Sequence, residues 1–179
     1  MISSIYLIIK CNLFMFNMTV FREYILSTMA GIIFVSMMAI FIFGESEPGI
    51  TVIKYLGVLL WFIASIFGIV PILEFKMKGG VKKGDSYVRT TKLVDTGIYS
   101  IVRHPQYLSW PLLFISLMLM NQTHLMILLG LIGSLLSYYD TRNVDEKMVS
   151  KFGEQYISYM ERVPKMNFII GIYRRIKGR

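Results

Sequence analysis

Cysteine is all but missing, since Cys11 stands alone among 179 residues. One thiol excludes an internal disulfide framework and a cysteine cage for zinc. Histidine is almost as scarce, with only His104 and His124. Without a cysteine pair beside them, no metal site is expected. Charged side chains make up only 17% of the chain, against roughly 25% in soluble domains. No secretory signal is expected either. The first nine residues carry no basic group, and Lys10 breaks the apolar run that follows the start.

What fills the chain is apolar. Hydrophobic residues reach 55% and the mean hydropathy is +0.58. This composition points to an all-α, multi-pass membrane protein. The length allows one domain. A net charge of +8 would suggest nucleic acid in a soluble chain. Here the positive residues gather in two polar segments, which fits an anionic membrane face better. Membrane lipids are therefore expected partners, and nucleic acid is not.

Four core spans are expected, over about 24–43, 50–73, 105–120 and 125–139. The stretch before them, 1–23, is too interrupted for a span of roughly 20 apolar residues. Lys10, Asn12 and Asn17 break it, so it reads as an interfacial helix or extension, with an extra span as the alternative. Small residues four apart recur in the spans: Ser27 and Gly31, Ala64 and Gly68, Gly130 and Ser134, Gly133 and Ser137. Such pairs let helices pack closely in lipid. Pro71 is expected to kink or end the second helix. The link 121–124 is short enough to make spans three and four an antiparallel hairpin.

Two polar segments complete the domain, taken as 24–165. The first, 74–104, is long for so small a protein, and such loops are functional or disordered. Its basic part, 76–92, suits a lid or an attractor of anionic headgroups. The second, 140–163, is expected to be one polar helix ended by Pro164. Its stripe of Val149, Phe152, Tyr156, Tyr159, Met160 and Val163 recurs at steps of three and four. The tail 166–179 joins a short apolar run to Arg174, Arg175, Lys177 and Arg179, the pattern of a surface anchor. The positive-inside rule places both basic segments and both chain ends in the cytoplasm.

Candidate chemistry gathers where 74–104 meets the third span. Proline at 105 favours a helix start there and keeps His104 out of the helix. Free amides at that start, with Arg103, suit an anion such as a carboxylate. The same residues also suit a headgroup anchor and a capping histidine. Tyr99, Tyr107 and Trp110 present aromatic faces that attract cations, although an interfacial aromatic belt explains such residues as well. Glu146 either pairs with Arg142 on a helix surface or reaches the same mouth to bind an ammonium group. Gly79 to Ser86 imitates a phosphate-binding loop in its spacing. Asp85 occupies the lysine position and no buried strand precedes it, so that motif is rejected.

The run Leu93-Val94-Asp95-Thr96-Gly97-Ile98-Tyr99 leads into Arg103-His104-Pro105-Gln106-Tyr107. Asp145-Glu146, Phe152-Gly153-Glu154-Gln155-Tyr156-Ile157-Ser158-Tyr159 and Val163-Pro164 follow in order. Together, over roughly 50 to 165, they resemble the integral-membrane methyltransferases of the isoprenylcysteine carboxyl methyltransferase and phospholipid N-methyltransferase group. The resemblance implies a helical membrane enzyme with S-adenosylmethionine as methyl donor. The segment before the hairpin and the helix after it would build the cofactor site at the cytoplasmic side. Carried over, Leu93, Val94, Gly97 and Tyr99 would line the cofactor, partly through backbone. Arg103, His104 and Tyr107 would make its central contacts, and Glu146 would take the second acidic position. The chain departs from the pattern in two places. Asp145 stands where the first of two glutamates is usual, and the polar segment before Leu93 differs from the isoprenylcysteine form.

The donor implied by that resemblance carries a carboxylate, an ammonium and a sulfonium. Arg103 and the helix start suit the first, Glu146 the second and the tyrosine faces the third. Arg103, His104 and Glu146 are the candidate catalytic residues. A base, His104 or Glu146, is needed only if the acceptor arrives protonated. The acceptor is expected to be a lipid, a prenylcysteine carboxylate or another apolar small molecule, with an amine or thiol as options. Two rivals are a nicotinamide-dependent membrane reductase of the sterol reductase kind and a non-catalytic membrane scaffold.

Overall fold

The computed structural model describes residues 25–44, 48–82, 84–86, 89–141 and 144–178. The expectation for 1–23 and the Arg142 pairing lie outside the described residues. All regular structure among the described residues is helical. Helix α1 is Ile25–Phe43 and α2 is Thr51–Lys78. A 3-10 turn, Gly97–Ser100, precedes α3, Pro105–Asn121. Then come α4, His124–Asp140, α5, Val144–Phe152, α6, Glu154–Arg162, and α7, Phe168–Ile176.

Both α1 and α2 are long and apolar enough to cross a membrane. Their outer faces show Ile32, Val35, Ile42, Val52, Leu59, Phe62, Ile66 and Ile69. Helix α4 does the same with Leu128, Leu131 and Leu135. A continuous apolar exterior of this kind is unstable in water and at home in lipid. The protein is membrane-associated.

The α2–α3 and α3–α4 contacts form the core. Ala64 and Phe67 of α2 pack with Leu108 and Leu112 of α3, while Ala30 and Met37 of α1 pack with Phe114, Leu117 and Met126. Small residues set the spacing at Gly130 and Gly133, whereas among the described residues nothing lies within 4 Å of a side-chain carbon built at Gly31. A side-chain carbon at Gly133 would stand 2.4 Å from the Phe114 ring. At the far end, Gln122 closes the α3–α4 turn in the left-handed region, with φ 61°. Its amide side chain accepts from Ile50 N at 2.9 Å and donates to Ile50 O at 3.1 Å. That tie puts the start of α2 and the hairpin turn at one end of the bundle.

Two expectations change. Pro71 does not end α2, which continues to Lys78. A proline forfeits one amide bond, but the last turns are tied to the following segment through Glu74 and closed by the helix's own Gly79 N to Phe75 O bond of 2.9 Å. The single polar helix over 140–163 is two helices, α5 and α6. Gly153 adopts φ 59° and ψ −136° between them, a region open to glycine and strained for other residues. The stripe survives the break, because Tyr156, Tyr159 and Val163 still bury together against Leu93, Met148 and Val149.

Candidate active site

Glu74 sets the position of the segment that carries the site. It is buried in the last turns of α2, and its Oε2 accepts from Ile98 N at 3.2 Å. Lys78 donates to Glu74 Oε1 at 3.4 Å and to Thr96 Oγ1 at 3.2 Å. Gly97 sits against this carboxylate at φ 62°, and a side-chain carbon there would overlap Glu74 Oε1. Here the glycine is required twice, by its backbone angle and by the close approach. From the other side, Arg175 of α7 donates to Gly97 O at 3.1 Å and reaches Ser100 Oγ. Tyr99 is buried, stacks on Phe75 at 4.7 Å, and its carbonyl accepts from Tyr159 Oη at 2.6 Å.

The chain then delivers Arg103 and His104 to a carboxylate from far along the sequence. Their amides donate to Pro164 O and Lys165 O at 3.0 and 3.2 Å. His104 Nε2 lies 2.7 Å from Asp145 Oδ1, and Tyr156 Oη donates to the same oxygen at 2.8 Å. Arg103 Nη1 is 3.5 Å from Asp145 Oδ1, and Lys165 Nζ is 3.6 Å from Oδ2. His104 makes no side-chain cap to α3, so the capping role gives way to this carboxylate pairing.

Burial alone would raise the Asp145 carboxyl, but the His104 hydrogen bond and charge, Tyr156 and Arg103 together hold it below the usual carboxylate range. Being ionised, it only accepts, so His104 Nε2 carries the hydrogen. Burial, then the bond to Asp145, pushes the Tyr156 hydroxyl well above its ordinary value, so Tyr156 acts as a donor at any physiological pH.

A cavity of about 660 Å³ opens over this cluster, within the range of small-molecule sites. Leu93, Val94, Tyr99, Arg103, His104 and Tyr107 line it, and so do Tyr156 and Tyr159. At its apolar end the wall is Gly68, Ile72, Ser109, Trp110 and Leu113. Gly97 shapes the wall from behind, through the turn.

Glu146 is placed differently from the expectation. It is exposed on α5 and absent from the cavity lining, while its neighbour Asp145 faces Arg103. Successive helix residues point about 100° apart, so only one of the pair can meet the cluster. The acidic role at this cluster passes to Asp145. Glu74, Tyr156 and Tyr159 are the residues that sequence reasoning undervalued. Glu74 read as the start of a loop, and the tyrosines read as an apolar stripe.

The guanidinium of Arg103 is left incomplete. Its Nε and Nη1 are buried without a hydrogen-bond partner, and a buried donor of this kind is costly unless something completes it. A carboxylate can accept a charge-assisted bond from such a donor. The residues present therefore fit an amino-acid carboxylate. Residues 49–155 match the family model for phospholipid methyltransferases.

The chain belongs to the phospholipid methyltransferase family.

Membership implies methyl transfer on membrane substrates, and enzymes of the family generally use S-adenosylmethionine. The matched stretch contains Arg103, His104 and Asp145 but stops short of Tyr156, Tyr159 and Lys165. No curated protein matches the chain.

Proposed function

We propose that the protein transfers a methyl group from S-adenosylmethionine to an acceptor held in or on the membrane. The buried, incompletely bonded guanidinium of Arg103 on the wall of a ligand-sized cavity carries this reading. Arg103 binds the donor's carboxylate with its incompletely bonded guanidinium. Leu93, Val94 and Tyr99 supply apolar wall and backbone for the adenosine, Gly97 shapes that backbone, and Tyr107 borders the reacting end. When bound, the donor supplies an electrophilic methyl group on a sulfonium. The chain's own residues orient both reactants and keep water out. Positioning of this kind can account for much of a displacement rate. His104 Nδ1 accepts a proton when the acceptor arrives protonated, and Asp145 steadies the ring through Nε2.

In this reading α1 to α4 all cross the bilayer. Helices α3 and α4 have 17 residues each, about 25 Å long and at the short limit for a span. The site and both chain ends face the cytoplasm, supported by the basic segments on the side opposite the Gln122–Ile50 tie. The acceptor is a lipid, a prenylcysteine carboxylate or another apolar molecule, reached from the bilayer side of the cavity.

Equilibrium dialysis of tritiated S-adenosylmethionine against the detergent-solubilised protein tests the reading. Saturable binding that Arg103→Ala abolishes supports it. Binding of NADPH in place of the donor overturns it in favour of a reductase. Topology has a separate test, because a cysteine placed at Asp85 should label only from the cytoplasmic side.

A further inference from the structure

Helix α7 has a docked face and a bare one. The docked face meets the turn that carries the site. Gly171 is buried, and a side-chain carbon there would overlap Ile101 O. Arg175 donates to Gly97 O at 3.1 Å and reaches Ser100 Oγ. Just ahead of the helix, Pro164 O and Lys165 O accept from the amides of Arg103 and His104. Segment 97–104 is therefore held at both its ends by one stretch of chain, 164–175.

The bare face is apolar. Ile169, Tyr173 and Ile176 recur at steps of four and three, so they share one side of the helix. They are 68%, 61% and 81% exposed. With 9 residues, or about 14 Å, α7 is too short to cross a bilayer. Its depth fits the bilayer surface instead. Phe168, at its start, packs on Phe67 with ring centres 5.6 Å apart. Phe67 stands about 24 Å along α2 from Thr51, close to the limit of an apolar layer of about 30 Å.

Charge selects the kind of surface. From Val163 to Arg179 the sequence carries Lys165, Arg174, Arg175, Lys177 and Arg179 and no acidic residue. Lys177 Nζ lies over the Tyr173 ring at 5.8 Å, so a cation borders the apolar stripe. An apolar face edged with basic side chains suits a helix lying in an anionic lipid surface.

We propose that α7 lies in the anionic leaflet on the site's side of the membrane, and that its seating there holds segment 97–104 in the form that binds the donor. The donor half rests on the reading above, in which Arg103 holds the donor, whereas the seating and the clasp stand on α7 itself. Arg175 is a positioning residue, acting through Gly97 and Ser100.

Lipid nanodiscs that hold one copy of the protein test this, and they exclude a second chain as the occupant of the bare face. In a Cys11→Ser background, a nitrobenzoxadiazole label at Ile176→Cys should emit to the blue of the same label at Glu161→Cys, an exposed position on α6. Lipid with a nitroxide high on its acyl chain should quench only the first. Equal emission and quenching at the two positions overturn the seating. Amide hydrogen exchange reads the clasp without donor. Ile98 to His104 should exchange about fivefold more slowly in discs containing phosphatidylglycerol than in discs of phosphatidylcholine alone. Arg175→Gln should remove that difference with the Ile176 label still seated, and Arg175→Lys should restore it. Exchange indifferent to lipid charge overturns the clasp, and so does a difference that survives Arg175→Gln. If Arg175→Gln does not fold, the lipid dependence of the parent decides alone. Tritiated S-adenosylmethionine should bind about fivefold more tightly in the anionic discs. Equal affinity in both overturns the link between α7 and the donor. Absent binding in both strikes the Arg103 reading and the donor half with it, while the exchange still decides the clasp.

Discussion

At Arg103 the cavity wall is assembled from three distant stretches, joined by polar bonds of fixed direction. At Gly68, Ile72 and Leu113 it comes from two helices that meet through apolar surface and small residues. At the first end, two buried donors of one guanidinium have no hydrogen-bond partner. Such a site accepts a group that completes the set and rejects one that does not, because an unfilled donor stays costly. The second end sets only volume and apolarity, so it can hold tails of several shapes. The difference suits a reaction with one fixed donor and a hydrophobic acceptor.

Breaking the polar end should have the largest effect. Arg103→Ala should weaken donor binding about 100-fold, since it removes a buried, charge-assisted contact, and dialysis of tritiated donor measures it. Asp145→Asn should come next. It leaves Arg103 with a weakened counter-charge in a part-buried setting, and should cost about 2 kcal/mol of stability, seen as a lower melting temperature in micelles. A smaller loss, about 1–2 kcal/mol, is expected for Gly97→Ala from the left-handed backbone alone, with the overlap on Glu74 adding to it. Donor affinity should fall in parallel, because the turn holds Tyr99 and leads into Arg103.

A subtler change concerns acid. The folded-state pKa of Asp145 lies below its unfolded value of about 3.9. Its stabilisation is therefore complete above about pH 5 and is lost as the pH falls below the unfolded value. Melting temperatures from pH 6 to pH 3 should fall less steeply in Asp145→Asn than in the parent. The smallest effect is expected at Glu146. Glu146→Ala should change donor affinity by less than about twofold, as an exposed charge outside the cavity. A drop as large as that of Asp145→Asn would return the acidic role to Glu146.

Much of this arrangement was legible in the sequence. The apolar runs predicted α1, α3 and α4 to within about a residue at each end, and missed the last five residues of α2, which are largely charged and held by Glu74. Pro105 marked the start of α3, since its ring fixes the backbone locally. Local chemistry also drew attention to Arg103, His104 and Tyr107. Gly153 was visible as a residue, but the stripe through it spaced correctly for one helix. A periodicity of three and four tolerates a break when both halves pack on the same core.

What the sequence determined by itself is therefore what depends on near neighbours: the apolar helices, the hairpin, the helix start and the basic segments. Only the tertiary structure decided which of Asp145 and Glu146 faces His104, across 41 positions of chain. It also decided that Glu74 supports the turn at Ile98 and that Arg103 keeps two donors unfilled. Hydrogen bonds and charge pairs between distant stretches leave no period in a sequence. Their partners are fixed only when the apolar helices, packing by volume, bring the polar ends together.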